Sequence, residues 1–257
     1  MSFSEFQPRH VLCMLGRQGG YSELCRSIQS AIDNFAPGFE IDTHLSQDAP
    51  DDRMVESFDV SWDRVHKGVR TKEDEAAVHE HGCVIYVLGP HMDIESTVET
   101  SAIALRLIVH ALNSDAIAAK GESAGIARGA ARWKQLGRDA EDAEDGPSLA
   151  RTCRLAFSKR PLSDGKFLCS VGFHLVGLPE VFAPRSLSDD ELVLSSIIDR
   201  VADEMFTEGV GLSLVRNNGI LLPIEAYEED DFKFNPYGAV YLGDHGKKGT
   251  LSTGFRN

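Results

Sequence analysis

The sequence predicts an α+β fold in which mainly antiparallel sheets carry helices on one face. Segments with strand-like and helix-like periodicity alternate along the 257 residues. Two pairs of neighbouring strands are also joined without a helix, at residues 45–54 and 157–167. Directly joined strands pair antiparallel, whereas a doubly wound parallel sheet needs a helix at each crossover.

The first half begins with a strand, a glycine-rich turn and a helix. Residues 10–15 form a short apolar run, and the turn follows at residues 16–20. Apolar residues then recur every three or four positions until Pro37-Gly38 stops the pattern. These residues are Leu24, Ile28, Ala31, Ile32 and Phe35.

Two further strands, a charged helix and a buried strand come next. Residues 39–45 alternate apolar and polar side chains, and residues 54–62 do so less regularly. Residues 71–81 suit a short helix, and the β-branched run at 83–88 suits a strand buried on both faces. This order matches a ferredoxin-like β-α-β-β-α-β unit. The longest helix, at 93–113, follows it.

The second half is predicted to be a hairpin, a helix and another hairpin. The first hairpin joins residues 153–157 and 167–176 through the turn Ser163-Asp164-Gly165. The capping box Ser188-x-x-Glu191 begins a helix that Gly209 ends. The second hairpin joins residues 212–216 and 219–227 around Asn217-Asn218. A short strand at 239–242 and a loose segment from 244 onward complete the chain.

The distribution of charge suggests two subdomains, at residues 1–137 and 151–257, packed as one compact unit. Residues 138–150 carry five acidic residues and one basic residue. Because like charges repel, this segment is predicted to be a solvated loop or linker.

Composition and charge exclude several classes of partner. The chain has 26 basic and 40 acidic residues, a net charge of −14, which disfavours nucleic acid because phosphate binding depends on Lys and Arg. No apolar run is long enough to predict a membrane span. The five cysteines show no C-x-x-C spacing, so we expect reduced thiols and a cytoplasmic location. No cofactor is expected, and nothing in the sequence indicates an oligomeric state.

Two glycine-rich segments are candidate anion sites. Arg17, Gly19 and Gly20 lie between a strand and a helix, where a phosphate could meet free backbone N–H groups. The segment lacks both phosphate-loop patterns, so a plain turn is the alternative. Gly125 belongs to a predicted flexible loop at 121–129 that could act as a lid, and Arg128 could meet an anionic ligand there.

Histidines provide the remaining candidates. His79, His81 and His91 are the densest cluster, but their placement at a helix end favours an interaction with the helix dipole over a metal site. His174 and Glu180 could form an acid/base pair if the turn between them folds back. The alternative is a turn at the sheet edge with His174 facing solvent.

Four segments together resemble an uncharacterised bacterial family known mainly as a domain of unknown function. The resemblance spans about residues 10–210. It rests on the helix and strand at 76–87, the apolar helix up to Leu112, the Ala/Gly-rich segment reaching Trp133, and Gly177-Leu178-Pro179-Glu180. The glycine-rich, acidic stretch at 121–146 departs from it. The resemblance implies a bacterial, intracellular α+β protein and brings no catalytic residues.

Two hypotheses about function follow. The first is a non-enzymatic binding or regulatory protein whose acidic face meets a basic protein partner; by analogy with acidic antidotes to bacterial toxins, it could be an immunity factor. The second is an enzyme, or a domain that binds a small molecule or anion, with a pocket where Arg17, the 121–129 loop and His174/Glu180 converge.

Overall fold

The computed structural model describes residues 7–63, 70–163, 165–223 and 235–243, and within them the predicted α+β fold is confirmed. These described ranges contain two five-stranded, mostly antiparallel sheets and eight α-helices. The helices are α1 (Tyr21–Phe35), α2 (Arg53–Asp59), α3 (Lys72–His79), α4 (Thr97–Asn113), α5 (Ala130–Glu141), α6 (Gly146–Phe157), α7 (Glu191–Glu208) and α8 (Val210–Arg216). The strands are β1 (Arg9–Gly16), β2 (Glu40–Gln47), β3 (Cys83–His91), β4 (Ala116–Gly121), β5 (Ile126–Ala127), β6 (Lys159–Ser163), β7 (Phe167–Val171), β8 (Glu180–Pro184), β9 (Ile220–Leu222) and β10 (Ala239–Tyr241).

The first sheet has the order β2-β3-β1-β4-β5, and every pair in it is antiparallel. Strands β1 and β2 therefore run parallel on either side of β3, with α1 as their crossover. Strands β3 and β4 run parallel on either side of β1, with α4 as their crossover. The sheet is thus built from two interleaved β-α-β units.

The ferredoxin-like assignment made from the sequence is wrong at residues 54–62, which were predicted to be its third strand. This segment contains α2. Met54, Phe58 and Trp62 recur every four residues and are all buried against the first sheet. That spacing places the three side chains on one face of a helical turn. The partial alternation of apolar and polar residues between them made the segment resemble a strand in the sequence.

Helices cover both faces of the first sheet, so the prediction of helices on one face is wrong here. Leu12 and Met14 of β1 belong to a core cluster with residues of α1 and α4. Cys13 and Leu15 point to the other face and pack with residues of α2 and α3. Because residues 11–15 are apolar throughout, the strand can bury both faces.

The second sheet has the order β6-β7-β8-β10-β9, in which only the pairing of β8 with β10 is parallel. The first predicted hairpin is partly wrong, because residues 153–157 end α6 and the hairpin joins β6 to β7. Helix α6 begins here because Asp145 caps it: the Asp145 side chain accepts a hydrogen bond from Ser148 N. Pro147 in the first turn also favours a helix start.

The predicted helix after Ser188 is confirmed as α7, although the capping residue is Asp190. The second predicted hairpin is wrong, because residues 212–216 lie in α8 and β9 pairs with β10 instead. Asn218, with φ of +48°, turns the chain between α8 and β9. The strand predicted at 239–242 is confirmed as β10. The rest of the 219–227 prediction and the segment from 244 onward lie outside the described residues.

Residues 138–150, predicted to be a loop or linker, are mostly helical. Helix α5 continues to Glu141 and α6 begins at Gly146, so only residues 142–145 connect them. Val98 and Ala102 of α4 pack against the core of the second sheet, although α4 also belongs to the first core. The division into two subdomains stays a prediction. None of the helices in the described ranges has the length and hydrophobicity needed to cross a bilayer.

We expect Gly172→Ala to destabilise the fold far more than Gly125→Ala. Both glycines have positive φ, but a Cβ on Gly172 would lie 2.6 Å from Ala124 Cβ, whereas one on Gly125 would have no neighbour within 4 Å. Urea unfolding should give a loss of about 1 kcal/mol for Gly125→Ala and about 3 kcal/mol for Gly172→Ala. Equal losses would contradict the close approach at Gly172.

Candidate functional site

The predicted anion site at Arg17, Gly19 and Gly20 is an exposed turn. Gly20 N donates to Arg17 O at 3.0 Å, and Gly20 caps α1 without a side chain. Arg17 follows the end of β1 and lies seven positions after His10, which corresponds to about 23 Å of extended chain. Arg17 therefore does not converge with the His174/Glu180 pair, which lies close to His10 near the start of β1.

The predicted lid at residues 121–129 is a tight hairpin between β4 and β5, so it is not a flexible loop. Gly125 occupies its turn with φ of +59°. Arg128 is buried, and its Nε donates to Ala156 O at 3.0 Å while its guanidinium approaches Asp63 Oδ2 at 3.5 Å. Arg128 thus caps the carboxyl end of α6, and its predicted contact with an anionic ligand stays a prediction.

The candidate metal ligands His79, His81 and His91 do not come together. His81 is buried, its Nδ1 donates to Val78 O at 2.7 Å, and its Nε2 accepts from Asp51 N at 2.9 Å. His79 ends α3 and His91 ends β3, both exposed. No group of three or more metal-ligating side chains with suitable geometry occurs among the residues described.

His174 and Glu180 do come together, with 3.6 Å between Nδ1 and Oε1. Both are buried, which contradicts the prediction that His174 lies in a strand facing solvent. His174 belongs to a 3₁₀ helix at Phe173–Val176, and Glu180 begins β8, an inner strand of its sheet.

The Glu180 carboxylate is fully engaged in hydrogen bonds. Oε1 accepts from Gly172 N and Phe173 N, both at 2.9 Å, and from Asn235 Nδ2 at 3.0 Å. Oε2 accepts from Ser170 Oγ at 2.5 Å. A buried carboxylate with four donors and only 8% side-chain exposure holds a turn in place, and it is poorly suited to exchange protons with a substrate.

A second buried histidine lies next to His174. His10 Nε2 is 2.7 Å from Ser101 Oγ, and Ser101 Oγ donates its own hydrogen to Leu175 O at 2.6 Å. His10 must therefore be the donor to Ser101. Burial, together with the nearby His174, lowers the pKa of His10 to about 3. The ring nitrogens of His174 find no hydrogen-bond partner within the described part of the chain.

The structure also shows a polar row that sequence reasoning missed. Cys13 pairs across the first sheet with Tyr86 on one side and Lys120 on the other. Lys120 is fully buried; its Nζ is 2.8 Å from Glu122 Oε1 and donates to Ser57 Oγ. The only signal was a lysine within the apolar run 116–121. Burial raises the pKa of the Cys13 thiol to about 12, so Cys13 is not a nucleophile at neutral pH.

A groove lies between α6 and α7, and we call it the α6–α7 groove. It consists of an apolar cavity of about 200 Å³ and a polar cavity of about 400 Å³. The apolar cavity is lined in part by Ala150, Val176, Leu178, Ala202 and Phe206. The polar cavity contains Asp199, Arg200 and Glu204. Arg151, Asp203 and Thr207 line both cavities.

Two of the three arginines that line the groove, Arg154 and Arg151, differ in how firmly they are held. The Arg154 side chain is only 3% exposed, and it pairs with Asp199 and, at 2.7 Å, with Asp203 Oδ1. The Arg151 side chain is 64% exposed, and its Nε lies 3.8 Å from Asp203 Oδ2. Two carboxylates therefore surround one buried guanidinium, and Arg151 contributes only weakly to their neutralisation.

An exposed cluster of acidic residues adjoins the groove. We call it the acidic corner, and it consists of Asp139, Glu141, Asp142, Glu144 and Asp145, which end α5 and lead into α6. Hydrogen bonds from Ser148 hold the pKa of Asp145 below its usual value. Glu141, Asp142 and Glu144 form no ion pair with any described residue. The corner meets the groove at Pro147 and Ser148, which line the apolar cavity.

Comparison of the chain with family models, curated proteins and solved structures finds no match. The resemblance to a bacterial domain of unknown function therefore stays a prediction, and the site is interpreted from its geometry alone.

We expect His10 to make the folded protein less stable in mild acid. Its pKa is about 3 in the folded state and 6.5 in the unfolded state, so the unfolded chain takes up this proton first as the pH falls. The stability that neutral His10 contributes is complete above pH 6.5 and is lost progressively towards pH 3. Between pH 7 and pH 5 the loss is about 2 kcal/mol.

The measurement is urea unfolding at several pH values, for the wild-type protein and for His10→Gln as the control that cannot titrate. The free energy of unfolding of His10→Gln should fall by about 2 kcal/mol less over this range. Parallel pH profiles for the two proteins would show that His10 titrates normally in the folded state.

Proposed function

We propose that the chain is a non-catalytic binding protein that recognises a basic protein partner through the acidic corner and the α6–α7 groove. One observation carries this proposal: a groove that is apolar at one end begins at Pro147 and Ser148, directly after the segment whose three exposed carboxylates, Glu141, Asp142 and Glu144, have no ion-pair partner among the described residues. A cationic, partly apolar surface complements both parts.

The two parts would contribute differently to recognition. The acidic corner supplies long-range attraction, which speeds the encounter with a basic partner and selects against acidic ones. The apolar cavity supplies short-range burial. At about 200 Å³ it is smaller than sites for drug-sized ligands, which measure about 300–1,000 Å³. It therefore suits an apolar side chain of a protein better than a free small molecule.

The geometry gives less support to the alternative of an enzyme or anion-binding domain. That hypothesis needs Arg17, Gly125 and the His174/Glu180 pair to line one pocket, but the length of β1 separates Arg17 from the pair. Glu180 is engaged in four hydrogen bonds, and Arg128 caps α6.

The cellular setting is part of the same proposal. The free thiols of all five cysteines suit a reducing compartment such as the bacterial cytoplasm. The acidic surplus favours a protein partner over nucleic acid. An immunity role, in which an acidic protein neutralises a basic toxin, would use a surface of this kind.

A labelled amphipathic peptide of alternating Lys and Leu tests the proposal, with binding followed by fluorescence anisotropy. We expect binding that weakens as salt is raised, because exposed charges are screened. The triple variant Glu141→Gln/Asp142→Asn/Glu144→Gln should weaken binding about tenfold, since each exposed ion pair contributes about 0.2–1 kcal/mol. Thr207→Trp, which fills the joint between the two cavities, should also weaken it.

The matched control is Glu56→Gln/Glu73→Gln/Glu80→Gln, which also removes three exposed negative charges. Glu56 lies in α2, Glu73 lies in α3 and Glu80 follows α3. These helices cover the face of the first sheet opposite to α1 and α4. It changes the net charge equally and should leave binding nearly unchanged. Equal weakening by the two triple variants would mean that only net charge matters. If Thr207→Trp binds the peptide as tightly as the wild-type protein does, the groove has no part in recognition. If the wild-type protein does not bind the peptide, the whole proposal is refuted.

A further inference from the structure

We infer that Asp203 is the acceptor for a cationic side chain of the partner and that Arg151 is a built-in competitor, which occupies Asp203 until the partner displaces it. The inference rests on the proposed function and identifies the chemistry within the same surface. It comes from the geometry of three charged side chains.

The two oxygens of the Asp203 carboxylate have different surroundings. Oδ1 is 2.7 Å from Nη2 of the buried Arg154, which fixes the orientation of the carboxylate. Among the described residues, the only ion-pair partner of Oδ2 is Arg151 Nε at 3.8 Å, which is beyond hydrogen-bond distance. Since Asp203 lines both cavities, Oδ2 is an oriented but weakly engaged acceptor at the centre of the groove.

Arg151 is the cation most easily displaced from the groove. Its side chain is 64% exposed and its ion pair is long, so releasing it loses little free energy. Arg154 is buried and held by two carboxylates. Arg200, the third arginine, bonds to Glu204 Oε1 at 2.5 Å and to Asn217 Oδ1 at 3.1 Å. A partner cation would therefore replace Arg151 and leave the other two in place.

The position of Asp203 also defines the chemical class of the partner's contact. A guanidinium or ammonium group on Oδ2 would lie where the polar and apolar cavities meet. The group next to it would then face Val176, Leu178 and Phe206. The surface is thus suited to a basic side chain with a large apolar side chain close to it, and an isolated cation would leave the apolar cavity unused.

The test is the affinity of the Lys/Leu peptide for Arg151→Gln in the full chain. Removing the competitor should tighten binding about two- to fivefold, the range of one exposed ion pair. The matched control is Arg138→Gln. Arg138 is exposed at the end of α5 next to the acidic corner, and its Nη2 bonds Gln135 Oε1 at 2.5 Å. This control makes the same charge change without touching Asp203, so it should give a smaller gain.

A double-mutant cycle with Asp203→Asn completes the experiment. If Arg151 competes for Asp203, then Arg151→Gln has no effect on binding once the acceptor is gone. The comparison is made within the Asp203→Asn background, so any loss of stability from the altered Arg154 pairing cancels. A gain equal to that of Arg138→Gln, no gain at all, or a gain that persists with Asp203→Asn would overturn the inference.

These outcomes also separate the inference from the proposed function. Salt-dependent binding that depends on the acidic corner, with no specific effect of Arg151→Gln, would leave the binding role intact and refute only the competitor. A wild-type protein that does not bind the peptide would overturn both.

Discussion

The Glu180 carboxylate is the interaction on which the groove and the join between the two sheets depend. Its bonds to Gly172 N and Phe173 N hold the chain in the left-handed turn at Gly172, where φ is +100°. This turn starts the 3₁₀ helix at Phe173–Val176, which presents Leu175 O to Ser101 of α4. Val176 and Leu178, at the end of the same segment, line the apolar cavity. A buried charge is tolerated here because all its donors are provided by the fold.

The charged side chains of this protein fall into two groups: some are buried and stabilise the fold, and others are exposed. Arg128, Arg154, Lys120 and Glu180 are buried, and each has polar partners that compensate for lost hydration. The surplus that makes the chain acidic lies at the surface. The acidic corner contributes five exposed acidic residues within seven positions, where α5 ends and α6 begins.

The sequence predicts those features that depend on neighbouring residues in the chain. Helix α7 was predicted correctly because its apolar period and its stop at Gly209 are both local. The pairing of His174 with Glu180 was only one of two alternatives, because the sequence does not show whether the turn between them folds back. Helix α2 was missed because its four-residue spacing was mixed with partial alternation. The groove could not be predicted, since Arg151 and Arg154 meet Asp203 across about fifty residues of sequence. Its walls exist only after α6 and α7 have packed.

Helix α4 packs against the cores of both sheets. One part of its surface belongs to the core of the first sheet, while Val98 and Ala102 pack against the core of the second. Unfolding of either sheet would expose apolar surface of α4, while the rest of that helix still packs against the core of the other sheet. Partial unfolding is therefore penalised from both sides. Two separate sheets should then melt in a single cooperative transition, as one domain does.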